Sequence, residues 1–87
     1  MMRIEWTIAS MEKGPVVGSY VTSSLDSAMT AIESAFYNAI GPSWGPIHTQ
    51  ALRGFENEFR RDAINSLNKE GKWEFKMTAV VISLTWA

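Results

Sequence analysis

KWEFKMTAVVISLTWA, the sixteen residues from Lys72 to Ala87, closes the chain and decides how the rest is read. It contains no Gly and no Pro, carries two tryptophans and is rich in β-branched residues, which is the composition of a strand. Drawn out at about 3.3 Å per residue it reaches roughly 50 Å, against a diameter of about 30 Å for a compact domain of this length. Such a strand either bends at a bulge or runs past its own domain and pairs elsewhere, most simply with a second copy of itself. If its alternation never breaks, Trp73, Phe75, Met77 and Val81 share one face, and Val80, Ile82, Leu84 and Trp86 share the other. Helices cover only one face of a small open sheet. The two ways out are a bulge near Thr78 to Val80 that flips the phase, or an interface formed by Trp73, Phe75, Met77 and Val81.

Working outward, Gly71 ends a helix expected from about Thr49 to Asn68, with Leu52, Phe55, Phe59, Ala63 and Leu67 on its apolar stripe. An earlier helix follows Ser23 and Ser24, either of which can cap it. Its apolar residues, from Leu25 and Ala28 to Ala39 and Ile40, fall on a stripe about 140° wide, and Gly41 and Pro42 stop it. Before it, Ile4, Trp6 and Ile8 alternate with Arg3, Glu5 and Thr7, the pattern of a half-buried strand. Glu12-Lys13-Gly14-Pro15 turns the chain, and Val16 to Thr22 returns as the hairpin partner. The order is β-β-α-α-β. This is an α+β fold with a three-stranded, mainly antiparallel sheet and two helices packed on one face, in a single domain over residues 1–87. The third strand runs antiparallel to the second if the helices form an antiparallel pair.

With 87 residues and no Cys, the chain must hold a small core without disulfides or thiolate metal sites, so oligomer formation becomes a route to further burial. Eight basic and nine acidic residues give a net charge of −1, which argues against general nucleic-acid binding and against an anionic membrane surface. The amino terminus, MMRIEWTIASMEKG, has charges where a signal peptide needs an apolar run, and no segment has the length of a membrane helix. A cytoplasmic location follows from that pattern.

Catalytic motifs are sparse. His48 is the single histidine, and the chain has no G-x-S-x-G turn, no phosphate loop, no H-E-x-x-H and no calcium loop. No metal site, cofactor or catalytic residue is expected. Glu56 falls inside the apolar stripe of the second helix with Arg53 and Arg60 one turn either side, so a partly buried Glu56–Arg60 ion pair is expected there, and Glu56→Gln should lower stability. The loop Gly41 to Thr49 sets Trp44 in a Gly-Pro frame beside His48 and ahead of a helix amino terminus. With Arg53 one turn on, Trp44, His48 and Arg53 have the parts of a small anionic-ligand or nucleotide site. The same frame can simply turn the chain, with Trp44 folded back as a lid over the core.

These features favour a small non-enzymatic interaction protein of the accessory or inhibitor type. It would self-associate as a homodimer or higher homo-oligomer through its C-terminal strand or apolar sheet face and bind another macromolecule, in this case an unidentified protein partner. An accessory protein of a phage fits that profile. The alternative is the anionic-ligand site at Trp44, His48 and Arg53.

Overall fold

The computed structural model describes residues 1–10, 14–77 and 79–87. The stretch from Lys72 onward is two strands, not one. β3 (Lys72–Met77) and β4 (Val80–Trp86) lie antiparallel, with Met77 opposite Val80 and Trp73 opposite Leu84, so the chain doubles back between them. A body with a radius of gyration of 12.4 Å has no room for the straight strand, and reversal resolves both its length and its two apolar faces. Trp73, Phe75 and Met77 now stand on the same side of the sheet as their partners Leu84, Ile82 and Val80, while Val81 stands on the other. Where a bulge near Thr78 to Val80 was expected the chain reverses instead, Val80 opening β4 opposite Met77; Thr78 itself lies outside the described residues. Likewise Glu12 and Lys13 of the first turn lie outside them.

The sheet therefore has four strands rather than three, in the order β2-β1-β4-β3, where β1 is Met2–Ser10 and β2 is Gly14–Thr22. β1 pairs antiparallel with β2, Ile4 facing Tyr20 and Ile8 facing Val16. It also pairs antiparallel with β4, Ile4 facing Leu84 and Ile8 facing Val80. Two further bonds extend the β1–β4 seam, Ala9 N–H to Ala79 O at 2.8 Å and Ala87 N–H to Met1 O at 2.9 Å. Because every neighbour is antiparallel, β3 runs opposite to β2 while β4 runs the same way as β2, so the direction expected of the last strand holds for its first half alone; β2 and β3 form opposite edges of the sheet.

Helix α1 (Leu25–Ile40) starts where Ser24 Oγ accepts the Ser27 N–H at 3.2 Å, and it ends at Gly41, whose φ of 55° suits a residue without Cβ. A turn of 3-10 helix (Gly41–Ser43) follows. Helix α2 (Pro46–Glu58) opens at Pro46, three residues ahead of the expected start, since proline lacks only an N–H that the first turn does not use. It continues through a π turn (Phe59–Ala63) into α3 (Ile64–Glu70), closed by Gly71 at φ 77°. The π turn has a cause in the sequence. Phe55, Phe59, Ala63 and Leu67 recur every fourth residue, which on an α-helix drifts about 40° per step, and the wider turn takes back part of that drift. All four stay buried.

Both helical layers cover one face of the sheet, and the core lies between. Ile4, Ile8, Ile82 and Leu84 of the central strands meet Ile32 and Phe36 of α1 and Phe55 and Leu67 of α2 and α3. Trp86, at the end of β4, donates from Nε1 to Leu67 O at 3.2 Å, the carbonyl that also accepts the Gly71 N–H at 3.0 Å. Among the described residues no helix is long and apolar enough to cross a membrane.

Candidate functional site

Trp44 is folded back onto α1. Its indole stacks on Tyr37 with centroids 4.7 Å apart, meets Phe36 edge-on at 6.4 Å, and donates from Nε1 to Thr49 Oγ1 at 2.9 Å. His48, 5.6 Å from the indole, serves the start of its own helix. Its Nδ1 accepts the Gly45 N–H at 2.9 Å while the His48 N–H donates to Gly45 O at 3.0 Å. The exchange has the form of a capping box in which the glycine contributes only backbone. Accepting at Nδ1 places the hydrogen of the neutral imidazole on Nε2.

Arg53 does not join them. Five residues beyond His48, it lies about 140° round the helix, and it is exposed. The three residues of the expected anionic site thus divide into a braced pair and a separate solvated cation. What adjoins His48 is an apolar pocket of about 250 Å³ at this end of the molecule, lined by Ile8 of β1, Phe36 and Ile40 of α1, Ile47 and His48 of α2, and Met77 of β3. Ile47 is 72% exposed at its mouth. Val80 of β4 and Ala51 of α2 also line it, and sequence reasoning passed over this pocket because its walls come from five elements that no local pattern brings together.

Glu56 is half-buried, and its neighbour is another carboxyl. Among the described residues the ion pairs are Arg61 with Asp62 at 3.1 Å and Lys76 with Glu74 at 3.2 Å, so the expected Glu56–Arg60 contact is not among them. Glu33 of α1 shares a hydrogen bond with Glu56. That bond first, then burial and the Glu56 charge, raise the Glu33 carboxyl above its ordinary value of 4.5, with Arg60 pulling the other way. The folded protein holds this proton more tightly than the unfolded chain does. Its stabilising contribution is therefore complete below pH 4.5 and is lost as pH climbs through the raised folded value. Glu33→Gln keeps a donor and removes a charge. It should raise the melting temperature at pH 7 by about 3 °C and flatten the pH profile relative to the parent, and Glu56→Gln should stabilise rather than destabilise. Parallel melting curves from pH 4 to 7 for parent and variant would contradict the shared proton.

The expected interface residues are split in the same way. Trp73 and Phe75 are buried in the core, Met77 is 43% exposed on their side of the sheet, and Val81 is 40% exposed on the opposite face. Of the segment expected to pair with another copy, β4 lies between β1 and β3 with both edges occupied, whereas β3 forms an edge of the sheet.

No family model, no curated protein and no solved structure matches this chain.

The lateral flanks of the sheet differ in chemistry. The β3 edge alternates Lys72, Glu74 and Lys76, and the cleft beside it adds Glu58, Asp62 and Lys69. The β2 edge reads GPVVGSYVT, nine residues without a charge, and among the described residues no strand pairs with its outer side. Beside it, the near flank of α1 presents Ser27, Thr30, Ala31 and Ser34 around Tyr20, with Asp26 the one acidic residue of that groove. Val17 is 73% exposed and Val21 also lies open. The signal was legible in the sequence as an uncharged strand, but its edge position was not.

Proposed function

We propose that the protein is a cytoplasmic, non-enzymatic interaction module that self-associates edge to edge through β2 and engages a protein partner by the same strand addition. The observation that carries this reading is the uncharged, unpaired β2 edge. Edge strands of monomers are commonly blunted by charges, as β3 is here, and an uncharged edge with exposed Val17 and Val21 beyond Pro15 is a template for another strand. A two-fold axis at Gly18 would set Val17 against Ser19 and Val16 against Tyr20, and no register of this strand brings like charges together. The small side chains along the α1 flank leave room for the approach. The structural use of His48 as a helix cap supports the non-enzymatic part.

Light scattering at about 100 μM is the test. The parent should weigh twice its 9.7 kDa chain mass, and Val17→Lys with Val21→Lys, at exposed positions, should return it to a single chain with an unchanged circular dichroism spectrum. A parent that stays at one chain mass would overturn the self-association.

A further inference from the structure

We infer that the pocket beside His48 is a binding site for a small aromatic molecule of one or two rings carrying one hydrogen-bond acceptor, phenolic compounds being the simplest case. The site shares no residue with the β2 flank and stands independently of the self-association. Three observations define its occupant. Size is the first, because a cavity of about 150 Å³ lined by aliphatic and aromatic side chains already takes benzene, and this one holds about 250 Å³. Lining is the second. Ile8, Phe36, Ile40, Ile47 and Met77 are apolar, so a charged or multiply polar guest would lose its hydration with nothing in return. The third is the one polar wall. His48 is the one polar side chain of the lining, which holds no carboxylate, and with its Nδ1 committed to the Gly45 N–H the donor left to the imidazole is the Nε2–H.

This combination selects against anions, which need more than one donor or a cation, and against plain hydrocarbons, which leave the donor unused. It favours a flat apolar body with a single oxygen. The pocket is also braced before any guest arrives. Trp44, hydrogen-bonded to Thr49 and stacked on Tyr37, holds the α1–α2 corner, and the His48 cap sets the first turn of α2. Little ordering cost is left for binding.

The probe is p-cresol, titrated into 15N-labelled full-length protein and followed by amide shifts. Saturable shifts at Ile40, Ile47, Ala51 and Met77 are expected, with Kd near ~1 mM or tighter. Toluene, which has the same ring without the acceptor, should bind at least about tenfold more weakly. Ala51→Leu adds bulk to the half-buried wall and should abolish the shifts. Ile47→Asp, at the exposed mouth, is the second variant should Ala51→Leu fail to fold, and it should weaken binding at least about tenfold. No saturation by 10 mM (on the order of ten times that Kd), equal binding of toluene, or binding undiminished in both variants would each overturn the assignment.

Discussion

Phe55→Ala is expected to remove about 4 kcal/mol of stability, the largest effect of any single truncation in this protein. Phe55 is fully buried in α2 and is the hub of the aromatic cluster that ties the helical layer to the far edge of the sheet. Its ring lies 5.3 Å from Phe59, 6.1 Å from Trp73 and 5.9 Å from Phe75. Those partners hold one another as well, Phe59 meeting Trp73 at 5.4 Å and Trp73 lying near-parallel to Phe75 at 6.4 Å. Because rings pinned on both sides cannot slide into a vacated space, the cavity stays open and its full cost is felt. A chain of this length has roughly 4 to 13 kcal/mol in total, so the variant should be largely unfolded or melt more than about 15 °C below the parent. Urea unfolding measures it. A loss under about 1.5 kcal/mol would mean the three rings close the gap and the cluster is softer than its geometry indicates.

The second large effect comes from a residue with no side chain. Gly18 of β2 faces Trp6 of β1, and the indole lies across it, so that a Cβ at Gly18 would sit 2.5 Å from Cε2 and 2.7 Å from Nε1 of Trp6. Strand propensity alone makes Gly→Ala stabilising, because alanine loses less backbone entropy. Packing reverses the sign. Gly18→Ala must push the Trp6 ring off the core edge it covers, at an expected cost of about 2 kcal/mol. The double-mutant cycle decides between the two effects. In a Trp6→Val background the Gly18→Ala step should become neutral or favourable by about 0.5 kcal/mol, and the coupling should therefore be about 2 to 2.5 kcal/mol. Additive changes would show that Gly18 matters for its backbone and not for the ring above it.

Both effects grow from patterns visible in the chain, but neither could be assigned from it. The stripe of Phe55, Phe59, Ala63 and Leu67 marks those residues as core, and the alternation of Ile4, Trp6 and Ile8 marks the sheet's inner face. That Phe55 meets Trp73 and Phe75 required knowing that β3 lies under α2. That Trp6 covers Gly18 required the hairpin register, with Ile8 facing Val16 and Met2 facing Thr22. Glu56 makes the same point at the candidate site. Its place on the half-buried side of α2 was legible, but its neighbour was not, since the carboxyl it raises belongs to Glu33 on another helix, and Arg60, one turn away, is not among the ion pairs of the described residues.

The division follows from the range of the forces. Periods of two and 3.6 residues, caps such as Ser24 and stops such as Gly41 and Gly71 act within a few residues, so the amino-acid order by itself determined which segments are helix or strand, which side of each is greasy, and that the result is an α+β sandwich of helices on a sheet. Strand count and strand order answer to whole-body packing. Between Met77 and Val80 the chain offers no Gly, Pro, Asn or Asp to announce a hairpin, and it reverses because only reversal brings Trp73, Phe75, Ile82 and Leu84 under the helices together. That single turn moved the C-terminal strand to the sheet's interior, left β2 as the uncharged edge, and closed the wall of the pocket beside His48 with Met77.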